Sequence, residues 1–373
     1  MSGRNGRLTV TPRTWVILSD KRGDNGQVET IVDALPWPAE HKYVHMRPQW
    51  VLGKPRYRPS VDHLDLSRSD TLEGPWPDLI ITVGRRPSMV ALWVRKQSGN
   101  KTKIVLVGKP SGHMLDFSLV VASAENQLPP MHNFLPITLP LMRVGSDDVA
   151  SEVLAWQERF DGLRKPLIAM LVGGETNPFI MNRQVANDLV ATAHWVVDEL
   201  GGTPYVTTSR RTTPEVVEIL RRDLPEQAVF YAWSAEAEDN PYRALLGCAD
   251  GFIVTADSVS MMVEVIYLHK PLAIFPLPGG WLGRIDQRRR SLAHWLFNPT
   301  LDSTWDRWRH RLARGFYYVD IFKVLCATRD FRAFHRLLVD KGLAVWSGQP
   351  FVQPSAQLPD DAGLVVRRIQ ALF

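Results

Sequence analysis

The chain has 373 residues, 45% of them hydrophobic and 22% charged. At about 100–200 residues per domain, that leaves room for two domains with substantial cores. Its two cysteines, Cys248 and Cys326, exclude a disulfide scaffold and a cysteine-built zinc cluster, and suit a reducing compartment. A net charge of +5 attracts phosphorylated or anionic partners, but at this length it reads as a mildly basic enzyme rather than a nucleic-acid binder. No apolar run reaches the roughly 18 residues of a membrane span, and Met1–Arg13 lacks the apolar core of a signal peptide. The expected location is the cytoplasm.

In chain order, the first strand is expected over Trp15–Ser19, followed by a polar loop, Asp20–Gly26. A helix is expected from about Gln27, with Val28, Ile31, Val32 and Leu35 at helical spacing until Pro36 and Pro38 stop it. Residues 48–77, rich in Pro, Arg and Asp, read as mostly loop. Asp78–Val83 and Lys103–Val107 are continuous apolar runs of the kind buried on both faces, with a helix from Pro87 to about Lys96 between them. Phe117–Val121 reads as the next strand, and Gln127–Pro140 as irregular.

After Ser146–Arg164, charged and with a short helical stretch at Val153–Phe160, the alternation becomes regular. Strands are expected at Leu167–Val172, Pro204–Thr207, Ala228–Tyr231, Gly251–Thr255 and Pro271–Phe275. The helices between them are expected at Gln184–Leu200, from Thr213-Pro214, from Pro241, and over Ser258–Leu268. That pattern implies a parallel sheet with right-handed crossovers. Past Pro276 it decays into a segment rich in Gly, Arg and Trp, with later helices near Ile321–Cys326, Asp330–Leu338 and Gly363–Phe373. The resulting division is a Rossmann-like domain over 1–145, a linker over 146–165, a second Rossmann-like domain over 166–315, and C-terminal helices over 316–373 that pack back on the first domain.

Three segments carry chemistry. In Met170–Gly174, Gly173 and Gly174 follow a parallel strand; they either make a tight turn or bring backbone amides up to a phosphate. Thr207–Pro214 is either a solvated loop ending in a cap, Thr212 or Thr213, or a diphosphate site made by its hydroxyls and its two guanidinium groups, with Ser209 and Arg210 the preferred residues. In Tyr242–Pro271, Ser258 and Ser260 offer hydroxyls at a helix start, and Glu264 stands one turn after Ser260. A carboxylate there can accept from both hydroxyls of a ribose, or simply form a salt bridge. Several of the 13 tryptophans sit beside arginines, most densely in Trp305–Phe316. That stretch reads either as a helix resting on an anionic membrane or as a solvated helix whose tryptophans pack inward.

The stretch from Tyr242 to Pro271 resembles the donor-binding region of GT-B glycosyltransferases, including those related to the enzyme that adds N-acetylglucosamine to lipid II and to lipid A disaccharide synthase. Ser19–Gln27, with Gly84-Arg85-Arg86 and Thr255–Met261, is closer still to the bacterial relatives of the plant elongated-mitochondria fission protein. The resemblance covers about residues 14–275. It implies an α/β fold of two Rossmann-like domains facing a cleft, the GT-B type. It also implies a nucleotide-sugar donor held by Gly173, Gly174, Ser209, Arg210, Ser258, Ser260 and Glu264. The loops Asp20–Gln27 and Gly84–Arg86, with Arg85, would serve the acceptor, a cell-envelope glycan or lipid-linked molecule. Asp24 or Asp20 is the base candidate and His113 the reserve.

No metal or separate cofactor is expected, because no D-x-D-like site stands out and cationic groups would stabilise the leaving diphosphate. The expected site of action is cytoplasmic, with peripheral contact on the inner face of a membrane. One departure stands out: where the family's pattern has Pro-x-His-Asp after a strand, this chain has Ala122-Ser-Ala-Glu-Asn126. Two other readings stay open. One is a catalytically inactive adaptor or membrane recruiter. The other is a sugar-nucleotide epimerase of the hydrolytic kind, since a first-strand G-x-G-x-x-G and a Tyr-x-x-x-Lys pair are both lacking.

Overall fold

The computed structural model describes residues 11–373 apart from 21, 52, 127, 129–130, 143–145, 238, 298–302, 319–328 and 355–357. The chain divides into two compact units. Unit 1 comprises Met1–Arg143, Leu292–Arg329 and Pro359–Phe373; unit 2 comprises Val144–Ser291 and Asp330–Leu358.

Unit 1 begins with β1 (Thr14–Ser19), α1 (Arg22–Asp33), β2 (Glu40–Val44), the single turn α2 (Pro48–Val51), β3 (Leu79–Val83) and α3 (Arg85–Gln97). It continues with β4 (Lys103–Val107), β5 (Leu119–Ser123) and β6 (Phe134–Ile137). The strands form one parallel sheet in the order β2-β1-β3-β4-β5-β6. Successive residues of a strand point to opposite faces, and here each face has its own core. Ile17, Ile80, Ile104 and Val120 pack with Val90, Ala91 and Val94 of α3 on one side. Val16, Leu18, Ile81 and Val105 pack with Val28 and Ile31 of α1 on the other. Burial on both faces is why these strands read as unbroken apolar runs.

Two local expectations are corrected here. Arg22–Gly26 is helix, not loop: the Asn25 side chain donates to the Ser19 carbonyl at 2.8 Å and accepts from the Ser19 amide at 3.4 Å, which ties the start of α1 to the end of β1. The segment Gln127–Pro140 contains the edge strand β6, where Pro136 is tolerated because an edge strand has one unpaired side.

Unit 2 starts with α4 (Ser146–Asp161), a longer helix than the short stretch expected at Val153–Phe160; its Trp156 and Phe160 are buried. Then come β7 (Leu167–Val172), α5 (Arg183–Asp198), β8 (Thr203–Thr208), α6 (Pro214–Asp223), β9 (Val229–Tyr231), α7 (Tyr242–Cys248), β10 (Gly251–Thr255), α8 (Val259–Tyr267) and β11 (Leu272–Phe275). The Asn182 side chain caps α5 by accepting from the Val185 amide at 3.1 Å.

After Pro276 the strand–helix alternation gives way to two long helices, α9 (Trp281–Phe297) and α10 (Thr304–Tyr318); the second contains the stretch Trp305–Phe316 that was read as a helix. The helix expected at Ile321–Cys326 lies outside the described residues. Unit 2 resumes with α11 (Phe331–Asp340) and the two-residue strand β12 (Val345–Trp346), and the chain ends with α12 (Asp361–Gln370), whose Val365 and Ile369 lie in the core of unit 1.

The unit 2 sheet is also parallel, in the order β12-β11-β10-β7-β8-β9. Counted within the unit, this is the 3-2-1-4-5-6 order of dinucleotide-type sheets, with its reversal between β7 and β10. Among the described residues no helix is long and apolar enough to cross a membrane.

Candidate functional site

In open parallel sheets, ligands bind beyond the carboxyl ends of the strands where the strand order reverses. In unit 2 that point is occupied by a lock built around Asp257, whose side chain has no solvent exposure. One carboxylate oxygen accepts from the Thr255 hydroxyl at 2.7 Å. The other accepts from the Gly174 amide at 3.0 Å, the Ser258 hydroxyl at 3.2 Å and the Arg211 guanidinium at 3.1 Å. Thr255 in turn accepts from the Gly173 amide at 2.8 Å. The loops after β7, β8 and β10 are thus tied to one buried charge.

The two glycines are needed because these loops touch. A Cβ on Gly173 would run into the carboxylate of Asp257 and the Ser258 hydroxyl, and one on Gly174 into the Arg211 backbone. Their amides serve this lock. Ser209 belongs to the same assembly: its hydroxyl accepts from the Arg211 amide at 3.2 Å, and its amide donates to Thr212, whose hydroxyl donates to the Gly173 carbonyl at 2.5 Å. Arg210 is exposed, and it is its neighbour Arg211 that reaches Asp257 and Thr176.

Ser258 occupies the cap position of α8 without capping it, because its hydroxyl is turned to Asp257. The first-turn amides of α8 therefore get no bond from that side chain, and a helix start in this condition favours an anion. Ser260 stands exposed in that first turn. Glu264, one turn on, accepts a short bond of 2.5 Å from the Tyr242 hydroxyl of α7. Burial pushes the Glu264 carboxyl above the usual carboxylate range, against the pull of that bond. Burial and then the carboxylate's charge drive the tyrosine well above its ordinary value.

Behind the loop lies His335 of α11, 2% exposed and stacked on Phe179. One ring nitrogen bonds to the backbone of Ala256, while Nε2 is buried without a partner. Burial lowers its pKa to about 4, so it is neutral at physiological pH.

In unit 1, Asp20 follows β1 and Arg85 follows β3, neighbouring strands at that sheet's own reversal. The Asp20 carboxylate sits 2.7 Å from His45 Nδ1 and accepts weakly from the Met46 amide. Asp24 lies in the first turn of α1; its side chain is outside the described residues. Gly84, at φ 79°, lets the chain turn from β3 into α3 in a left-handed conformation that a side chain would oppose. Arg85 donates to the Pro55 carbonyl at 2.9 Å and lies over the Tyr57 ring, and Arg86 donates to the carbonyls of Val51 and Gly53. Both arginines hold backbone carbonyls at the end of α2 and just after it. His113 is paired with Asp116 at 2.7 Å.

Sequence reasoning passed over Asp257, Tyr242 and Glu125, and preferred Arg210 to Arg211. Glu125 stands in the segment that departs from the family pattern. It is buried, accepts from the Ser123 hydroxyl at 2.7 Å, and its other carboxylate oxygen has no partner. Among the described residues, no three His, Cys, Asp or Glu side chains gather as a metal-holding group.

Two α/β units, each built on a parallel six-stranded sheet with helical crossovers, define the class: a protein with two Rossmann-like domains. Within that class the chain belongs to the mitochondrial fission ELM1 family, whose profile matches residues 22–312. Over 226 residues it is 24% identical to the mitochondrial fission protein ELM1 of Arabidopsis thaliana, covering 55% of this chain and 52% of that protein. The chain thus spans about half the length of this curated relative. Over 301 residues it is 24% identical to an uncharacterised protein of Rickettsia prowazekii (strain Madrid E), covering 71% of this chain and 83% of that protein. Among solved structures, the UDP-GlcNAc 2-epimerase of Methanocaldococcus jannaschii is 10% identical, covering 96% of this chain and 99% of that one at a TM-score of 0.46.

Proposed function

We propose that unit 2 binds a nucleoside-diphosphate sugar and that the protein transfers the sugar, without a metal, to a cell-envelope glycan or lipid-linked acceptor. The observation that carries this reading is the Asp257 lock at the strand-order reversal. It fixes Arg211 beside the start of α8, where the hydroxyl of Ser258 is diverted from capping. A cationic fork and a row of helix-start amides in one place suit a diphosphate, both in the bound donor and as the leaving group. Glu264 would take the ribose through the carboxylate oxygen that Tyr242 leaves free. Transfer then needs a base to accept the proton of the attacking hydroxyl, for which Asp24 or Asp20 is the candidate.

A panel of nucleotide-sugars in a thermal-shift assay tests the site. A ligand at about 100 times its Kd adds about 2.7 kcal/mol of stability, so a true donor raises the melting temperature of the parent. Glu264→Gln, which keeps a partner for Tyr242, and Arg211→Ala are expected to lose that rise. Asp24→Ala and Asp20→Ala are expected to keep it, with turnover lost in the one that removes the base. If no nucleotide-sugar shifts the parent, the donor reading fails and a non-catalytic adaptor takes its place.

A further inference from the structure

A surface helix of a water-soluble protein turns its apolar side inward and its charges outward. The described part of α10 does the opposite. Its buried side carries an ion pair: Arg309, 8% exposed, reaches the Asp306 carboxylate at 3.1 Å. Its outward side carries Trp305 and Trp308, 60% and 51% exposed, with their rings stacked at 5.1 Å, and then Leu312. At 3.6 residues per turn, positions 305, 308 and 312 fall within an arc of about 60°. Arg307 and Arg311, both exposed, follow on one side of that arc, about 100° and 60° beyond Trp308.

The last turns of α9, also in unit 1, enlarge the face with exposed Leu292 and Trp295, and the Arg309 guanidinium lies 5.0 Å from the Trp295 ring. The part of α9 in unit 2 repeats the inversion by itself. Trp281 and Ile285 are exposed, while Asp286 is buried and paired with Arg289 and, at 2.7 Å, with Arg290.

We propose that the outward face of α10, with Leu292 and Trp295, seats on the surface of an anionic lipid bilayer. Tryptophan settles at the boundary between headgroups and acyl chains, and neighbouring arginines are drawn to anionic headgroups. A second copy of this chain is the poorer occupant. An antiparallel two-fold contact would bring Arg307 and Arg311 of both copies to the same side of the seam, and Asp306, the one acid in the α10 sequence, is turned inward. The inference stands whether or not unit 2 binds a nucleotide-sugar.

Flotation of the full chain with vesicles tests it, using phosphatidylcholine alone or mixed with phosphatidylglycerol. The parent is expected to float with the mixed vesicles and not with phosphatidylcholine alone. Trp305→Ala/Trp308→Ala is expected to lose at least about tenfold in partitioning, and Arg307→Glu/Arg311→Glu to lose the response to anionic lipid. All four side chains are exposed, so both variants are expected to unfold at the parent's temperature. A parent that stays in the dense fraction, or a double-tryptophan variant that floats like the parent, overturns the proposal. So does sedimentation showing a parent dimer that the tryptophan substitutions turn into a monomer, since the face then belongs to a second copy.

Discussion

His335 gives a pH prediction with a definite sign. Its ordinary pKa of 6.5 is lowered to about 4, first by burial, against the favourable pull of its bond to Ala256. Above about pH 6.5 the ring is neutral in both folded and unfolded chain, and pH does not change its contribution. Between 6.5 and 4 the unfolded chain takes up a proton that the folded one refuses, so stability falls as pH falls; below about 4 the loss is complete. At about 1.4 kcal/mol per pH unit, the loss comes to about 3 kcal/mol.

The perturbation that isolates it is His335→Phe, an aromatic of similar width among Phe179, Phe334 and Trp346 that cannot take a proton. At neutral pH the variant gives up the bond to Ala256, about 1 kcal/mol. At pH 4 it escapes the 3 kcal/mol and is the more stable protein by about 2 kcal/mol. Urea unfolding of both proteins across this range should therefore give stability curves that cross. Curves that stay parallel would refute the reasoning, since they mean that this ring does not titrate between the two states.

Two further substitutions probe packing. Gly173→Ala places a methyl against the buried Asp257 carboxylate and is expected to cost about 2–3 kcal/mol, read by chemical unfolding; a loss under half a kcal/mol would show that the loops are not in close contact. Asp361→Ala removes an acceptor that takes the amides of Thr138 and Leu139 at 3.0 Å each, and is expected to cost about 2 kcal/mol and to raise hydrogen exchange at those two amides.

The strands buried on both faces were legible because their sequence has little freedom. Leu167–Val172 and Gly251–Thr255 are uninterrupted apolar or small runs, and the structure places them at those limits. β12 could not be read, because two residues carry no periodicity and pair only because β11 presents an edge. The helix α9 was hidden for a different reason: Trp281 and Trp295 are on its exposed side, so no inward aromatic stripe marks it; α10 was legible as a helix over Trp305–Phe316, but not which way its tryptophans point.

In the candidate site, the helix start at Ser258 and the glycine pair were visible as local patterns. Asp257 was not, because its role consists of bonds to residues some 46 and 83 positions away. The choice between Arg210 and Arg211 was equally invisible. It turns on which backbone amide meets the Ser209 hydroxyl, a matter of loop conformation rather than composition.

The assignment of Pro359–Phe373 to unit 1 bears on how the chain is made. Val365, Val366 and Ile369 fill one side of a core whose other members lie before residue 142, with all of unit 2 threaded between. A ribosome releases the β1–β6 sheet long before it releases the helix that covers it. The nascent N-terminal half must wait with an apolar flank open while a second fold forms behind it. An expressed fragment cut at the first boundary would share that fate permanently, which makes co-expression with the C-terminal helix the rational way to dissect this molecule.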